Sequence, residues 1–148
     1  MKILCFFLLF FLISCESKNN SQQKISVVGT WKLISGMIIK KNDTTIVDYT
    51  KNQTMIKIIN ETHFAFLKHD LNKGKDSTAV FGSGGGSYSL VNDQYTEHLE
   101  YCSYREWEDH HFSFTVSIKN DTLIQSGIEK IESLDVAQIN IEKYIRIK

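Results

Sequence analysis

From Val28 onward, apolar and polar residues alternate in short runs separated by Asn, Asp, Gly and Ser. Successive side chains of a β-strand point to opposite faces, so this period of two predicts strands with one dry and one wet side. The spacing places them at 29–40, 44–50, 54–59, 63–68, 77–81, 86–91, 94–101, 111–119, 122–128 and 139–148. The breaks at Lys41-Asn42-Asp43, Asn60-Glu61-Thr62, Asn72-Lys73-Gly74, Asn92-Asp93 and Asn120-Asp121 carry residues that favour tight turns. Within 111–119, Phe112, Phe114, Val116 and Ile118 share one face, with His111, Ser113, Thr115 and Ser117 opposite. In the final run Ile139, Ile141, Ile145 and Ile147 form the expected dry face, with Lys143 the exception. Glu142, Tyr144, Arg146 and Lys148 face the other way. Only 127–138 leaves room for a short helix, and no internal repeat or interdomain linker interrupts the pattern. The pattern predicts an all-β domain, an antiparallel barrel or sandwich.

The start of the chain follows another rule. Met1-Lys2 is a short positive stretch, and Ile3 to Ile13 is an apolar run. That run is too short for a ~30 Å hydrocarbon core, which takes ~20 helical residues, but it matches the apolar region of an export signal. It ends in Leu12-Ile13-Ser14-Cys15, which resembles a bacterial lipobox. The resemblance implies cleavage before Cys15, a diacylglyceryl thioether on its sulfur and acylation of the new amino terminus. The expected organisation is a signal at 1–14, a polar flexible tether at 15–27 and a barrel domain at 28–148. The expected location is the envelope of a Gram-negative bacterium, membrane-held by the lipid, with the outer membrane preferred over the inner.

Composition narrows the function classes. The 148 residues carry seventeen basic and seventeen acidic side chains, for zero formal net charge. A nucleic-acid partner would call for a basic stripe, and none is present. Of the three cysteines, Cys5 would leave with the signal and Cys15 would be lipidated, so the mature domain keeps Cys102 and has no internal disulfide. The absence of proline suits uninterrupted strands, whose ladders need every amide donor.

Gly29-Thr30-Trp31 opens the first long strand, and Arg146 lies in the last. This Gly-x-Trp at the head of an all-β chain resembles the lipocalin and fatty-acid-binding superfamily. Thr62-His63-Phe64, Gly85-Gly86-Ser87-Tyr88, Asp93-Gln94-Tyr95-Thr96-Glu97 and Asp121-Thr122-Leu123 are similar to landmarks of small bacterial lipocalin-like lipoproteins. The resemblance implies an antiparallel up-and-down β-barrel of about eight to ten strands, lipocalin-like. It also implies that Gly29, Trp31 and Arg146 form a structural base, with the guanidinium across the indole.

The candidate ligand-binding residues sit mid-chain. On the strand 94–101, Tyr95, Glu97, Leu99 and Tyr101 fall on one face. A carboxylate between phenols is the kind of placed polar group that an otherwise apolar pocket uses; the alternative is that Glu97 faces solvent or completes a structural hydrogen-bond network. Tyr88, Phe64 and Phe66 are the further cavity-lining candidates. His110 and His111 are adjacent and would point oppositely on a strand, so they do not make a metal site. Trp107, in the polar loop around them, is a candidate contact for a partner. The run Gly82-Ser83-Gly84-Gly85-Gly86 lacks the Lys and following helix of a phosphate loop. No nucleophile–base pair has local support, so neither an enzyme nor a cofactor is expected. The expected partner is a small, largely hydrophobic ligand bound by a monomer. The alternative is a filled barrel that works as an interaction or inhibitor module through its loops.

Overall fold

The computed structural model describes residues 25–148. The expected signal, Cys15 and the tether up to residue 24 lie outside them. Ten strands follow one another: β1 (Gly29–Lys40), β2 (Asp43–Asp48), β3 (Gln53–Ile59), β4 (His63–Asp70), β5 (Phe81–Val91), β6 (Gln94–Leu99), β7 (Tyr101–Cys102), β8 (His110–Lys119), β9 (Thr122–Ile131) and β10 (Val136–Arg146). β2 and β3 run in the same direction along one flank of β1, pairing with its second and first halves respectively. They share one position in the sheet, broken at 49–52. β6 and β7 likewise share the position beside β5, broken at Glu100. Counted this way, eight antiparallel positions run up and down in chain order, and pairing of β10 with β1 closes them into a barrel.

Local chemistry explains the turns. Lys119 pairs with Thr122 across Asn120 and Asp121, whose φ angles of 48° and 60° belong to a type I′ hairpin. Asn92 and Asn52 also occupy the left-handed region, which Asn tolerates better than most residues. The core runs along the barrel axis and includes Trp31, Leu33, Phe64, Tyr95, Phe112, Phe114, Leu123 and Tyr144.

Three expectations need correction. Residues 77–80 are not strand; β5 begins at Phe81 and takes in the whole glycine run. The register pairs Phe64 with Gly86 and Phe66 with Gly84. A Cβ at Gly84 would lie 2.6 Å from the Phe66 ring, and one at Gly86 only 1.9 Å from the His98 carbonyl oxygen. The glycines are in the strand because neighbouring groups occupy the space where side chains would go. The stretch 127–138 holds no α-helix: β9 continues to Ile131, and a single 3-10 turn at Glu132–Leu134 leads into β10.

The third correction concerns β10, whose dry and wet faces are exchanged relative to the pattern. Trp31 and Leu33 point inward, and residues directly opposite in an antiparallel pair share a face. Their partners, Arg146 and Tyr144, are therefore inward too, followed by Glu142 and Asn140. The isoleucines are turned out, with Ile139 and Ile145 at 39% and 44% exposure. On β9 the same happens: Leu123 and Gln125 are buried, while Ile124 and Ile128 face outward.

Candidate functional site

The interior holds a polar cluster, and its lysine is the ladder partner of Trp31. Lys57 lies on β3 between Met55 and Ile59, all three on the inward face, and is only 2% exposed. Its ammonium donates to the Glu97 carboxylate of β6 and, at 3.0 Å, to Oε1 of Gln125 on β9. The rings of Phe64, Tyr95 and Tyr144 surround Nζ, with centroids at 5.1, 5.3 and 5.8 Å. Beside it the Tyr144 hydroxyl donates to Glu142 at 2.6 Å. Glu129 accepts from the side-chain amides of Gln138 and Asn140, each at 2.8 Å.

Burial sets the electrostatics here. It pushes the Glu97 carboxyl above its ordinary range, against the pull of Lys57. It does the same to Glu129, against two amide donors. The Tyr95 phenol is held protonated by burial and by the nearby charge of Glu97. The Tyr95 hydroxyl is buried and makes no hydrogen bond. Lys57 and Glu97 are spent on each other and walled in by rings, so the pair fills and fixes the interior without presenting an amine or a base to a reactant.

The sequence-derived candidates are placed as follows. Phe64, Tyr95 and Glu97 are buried together around Lys57. Tyr88 packs beside Tyr95 at 5.0 Å between centroids, and its hydroxyl donates to the Asn60 carbonyl. Phe66 is half-buried against the core. Tyr101 does not join them. The break at Glu100 adds a residue between Glu97 and Tyr101, which reverses the alternation and leaves Tyr101 69% exposed on the outer wall. Trp107, the candidate partner contact in the polar loop, is half-buried with its ring 5.9 Å from Phe112.

A shallow, open depression of about 340 Å³ lies along β4, β5 and β7, lined by residues that include Phe64, Phe66, Leu67, Gly85 and Tyr101. A neighbouring one of about 270 Å³ reaches Cys102, Arg105 and Glu108. At one end of the barrel the Trp31 indole donates to the Val27 carbonyl at 2.7 Å. The Arg146 guanidinium stacks 4.0 Å from that ring and donates to the Val28 carbonyl. Gly29 has φ 144°, and a Cβ there would lie 2.3 Å from Arg146 Nη1, so glycine is needed on both counts.

Comparisons with protein-family models, with curated proteins and with solved structures find no match. The site is therefore read from its chemistry. Among the described residues no group of three or more His, Cys, Asp and Glu could hold a metal ion. His111 stacks on His98 of β6, with centroids 4.3 Å apart and planes 10° from parallel, while His110 lies near Phe112. The residues missed by pattern reading are Lys57 and Gln125. The signal was present for Lys57: the period of two puts it on the same face as Met55 and Ile59, in the middle of a dry strand.

Proposed function

We propose that the chain is a lipid-anchored envelope protein of lipocalin-like type whose filled barrel serves as an interaction module. One observation carries this reading: the barrel interior is occupied by the buried Lys57–Glu97 pair and its ring of aromatics. An eight-stranded barrel has room for either packed side chains or one small ligand. Opening this interior would leave two desolvated charges without partners, a cost of several kcal/mol. The anchor rests on the Cys15 motif, and the barrel's lipocalin likeness on Gly29, Trp31 and Arg146.

A second reading has its own support. The open depression beside Phe66 and Leu67 is mostly apolar, and at about 340 Å³ it falls in the size range of small-molecule pockets. It would hold a small, largely hydrophobic molecule on the barrel wall. Native mass spectrometry of the chain matured in a Gram-negative host separates the two readings. The interaction reading expects a chain beginning at an acylated Cys15 with no non-covalent passenger. A stoichiometric ligand lost in Leu67→Arg would establish the second reading instead. An unmodified Cys15 or a retained Met1 would overturn the anchor.

A further inference from the structure

The isoleucines displaced from the core lie together. Outward positions of β2, β1, β10 and β9 align in rows through the ladder: Ile46 with Met37 and Ile141, and Ile39 with Ile139 and Ile128. Ile46 and Ile128 are each 65% exposed. Single exposed apolar residues are ordinary on a protein surface, but a contiguous patch across four strands marks a contact. Within the same face stand Lys32 and Lys143, both exposed. Asp48, tied to Lys51 at 3.1 Å, is the only carboxylate on the outward positions of these four strands.

We infer that this face rests on an anionic lipid surface, with the isoleucines against the headgroup–acyl boundary and Lys32 and Lys143 at lipid phosphates. Apolar area combined with cations is what such a surface attracts. Spanning the membrane does not fit, because the wall on β8 and β6 is polar, with Ser113, Thr115 and Ser117 on the first and Thr96 and His98 on the second. Self-association through this face would bury Lys32 and Lys143 with no free carboxylate of the face to meet them, since Asp48 is already tied to Lys51. The tether geometry agrees, in a step that rests on the lipid-anchor reading. Cys15 lies ten residues before Ile25. Those residues reach at most about 35 Å when extended, and they lead directly into β1, a strand of this face. The opposite wall, with its depression, is left facing away from the bilayer.

The test places a spin label at Ile128→Cys or Ile46→Cys on the face, and at Thr96→Cys on the opposite wall, in the full acylated chain; Cys102 is buried. The chain is reconstituted in vesicles of phosphatidylethanolamine with phosphatidylglycerol. Labels at 128 and 46 should lose most of their collisions with a water-soluble nickel chelate and gain collisions with oxygen, while the label at 96 should not. Lys32→Glu with Lys143→Glu should restore chelate access at 128, as should replacing phosphatidylglycerol by phosphatidylcholine. Equal access at 128, 46 and 96 in vesicle-bound chain overturns the inference and leaves the anchor standing. Protection at 128 that persists in detergent and grows with protein concentration overturns it in favour of a dimer. Failure of the anchor is read separately, as a chain with unmodified Cys15 that stays in the supernatant.

Discussion

At the scale of single residues, Lys57 decides most. It places a charge in the buried interior of an eight-stranded barrel, and the fold tolerates it because Glu97, Gln125 and three aromatic rings all meet its ammonium. Removing one partner of a buried pair strands the other, so Lys57→Met should cost about 3–5 kcal/mol in urea unfolding at neutral pH. Lys57→Met with Glu97→Leu should recover most of that loss. The single variant also has a pH signature. Glu97 already has a raised folded-state pKa, and losing Lys57 raises it further, so the penalty should shrink as pH falls toward the ordinary value of 4.5 and the carboxyl becomes neutral. A penalty unchanged between neutral and acid pH would contradict this. At the barrel end, Arg146→Ala should cost ~0.5–2 kcal/mol for the lost cation–aromatic contact and expose the Trp31 indole, visible as a red shift in emission.

At the scale of elements, β5 shows how strands accept glycine. Gly86→Ala drives a methyl into the His98 carbonyl, so β6 must move; a loss of about 1–3 kcal/mol is expected, read from thermal unfolding. Gly74→Ala should have less steric effect, since nothing lies within 4 Å of a Cβ there, although its φ of 67° carries some strain. The same strands show what alternation can and cannot tell. The inward set of β8 is legible because its dry face is unambiguous: Phe112, Phe114 and Val116 have only polar alternates. In β10 both faces are mixed, and isoleucine against Glu142, Tyr144 and Asn140 looks dry by hydropathy alone. What decides is non-local: β1 has already turned Trp31 and Leu33 inward, and pairing forces Arg146 and Tyr144 to follow. The candidate site was half legible for the same reason. Glu97 and Tyr95 follow from their own strand, while the partner that makes Glu97 tolerable lies 40 residues earlier. Tyr101 was misplaced by one inserted residue, since a break of phase at Glu100 leaves no mark in hydropathy.

At the scale of the whole molecule, two sets of carboxylates pull stability in opposite directions with pH. Glu97 and Glu129 have folded-state values raised above 4.5 by burial, so the folded chain takes up their protons first, and stability rises as pH falls through those values. Asp48 is held at about 2 by hydrogen bonds from Thr50 and by Lys51. Asp70, bonded to the amides of Gly74 and Val80, is likewise lowered from 3.8. Their contribution is present above 3.8 and lost below it as the unfolded chain binds protons. The urea midpoint should therefore peak in mildly acid solution, and a maximum at neutral pH or above would count against the buried-carboxylate account. Closure of the barrel has a further consequence, in time instead of space. The hydrogen bond from Arg146 to Val28 joins residues 118 apart in the chain, and β10 is the last of the described strands. Contacts of such separation form slowly. Until β10 arrives, β1 lacks its long partner, so the ring closes only once residues 136–146 have joined it. Within residues 25–148 the barrel is therefore expected to close late and as one unit, with the ends of the described chain joined in its final step.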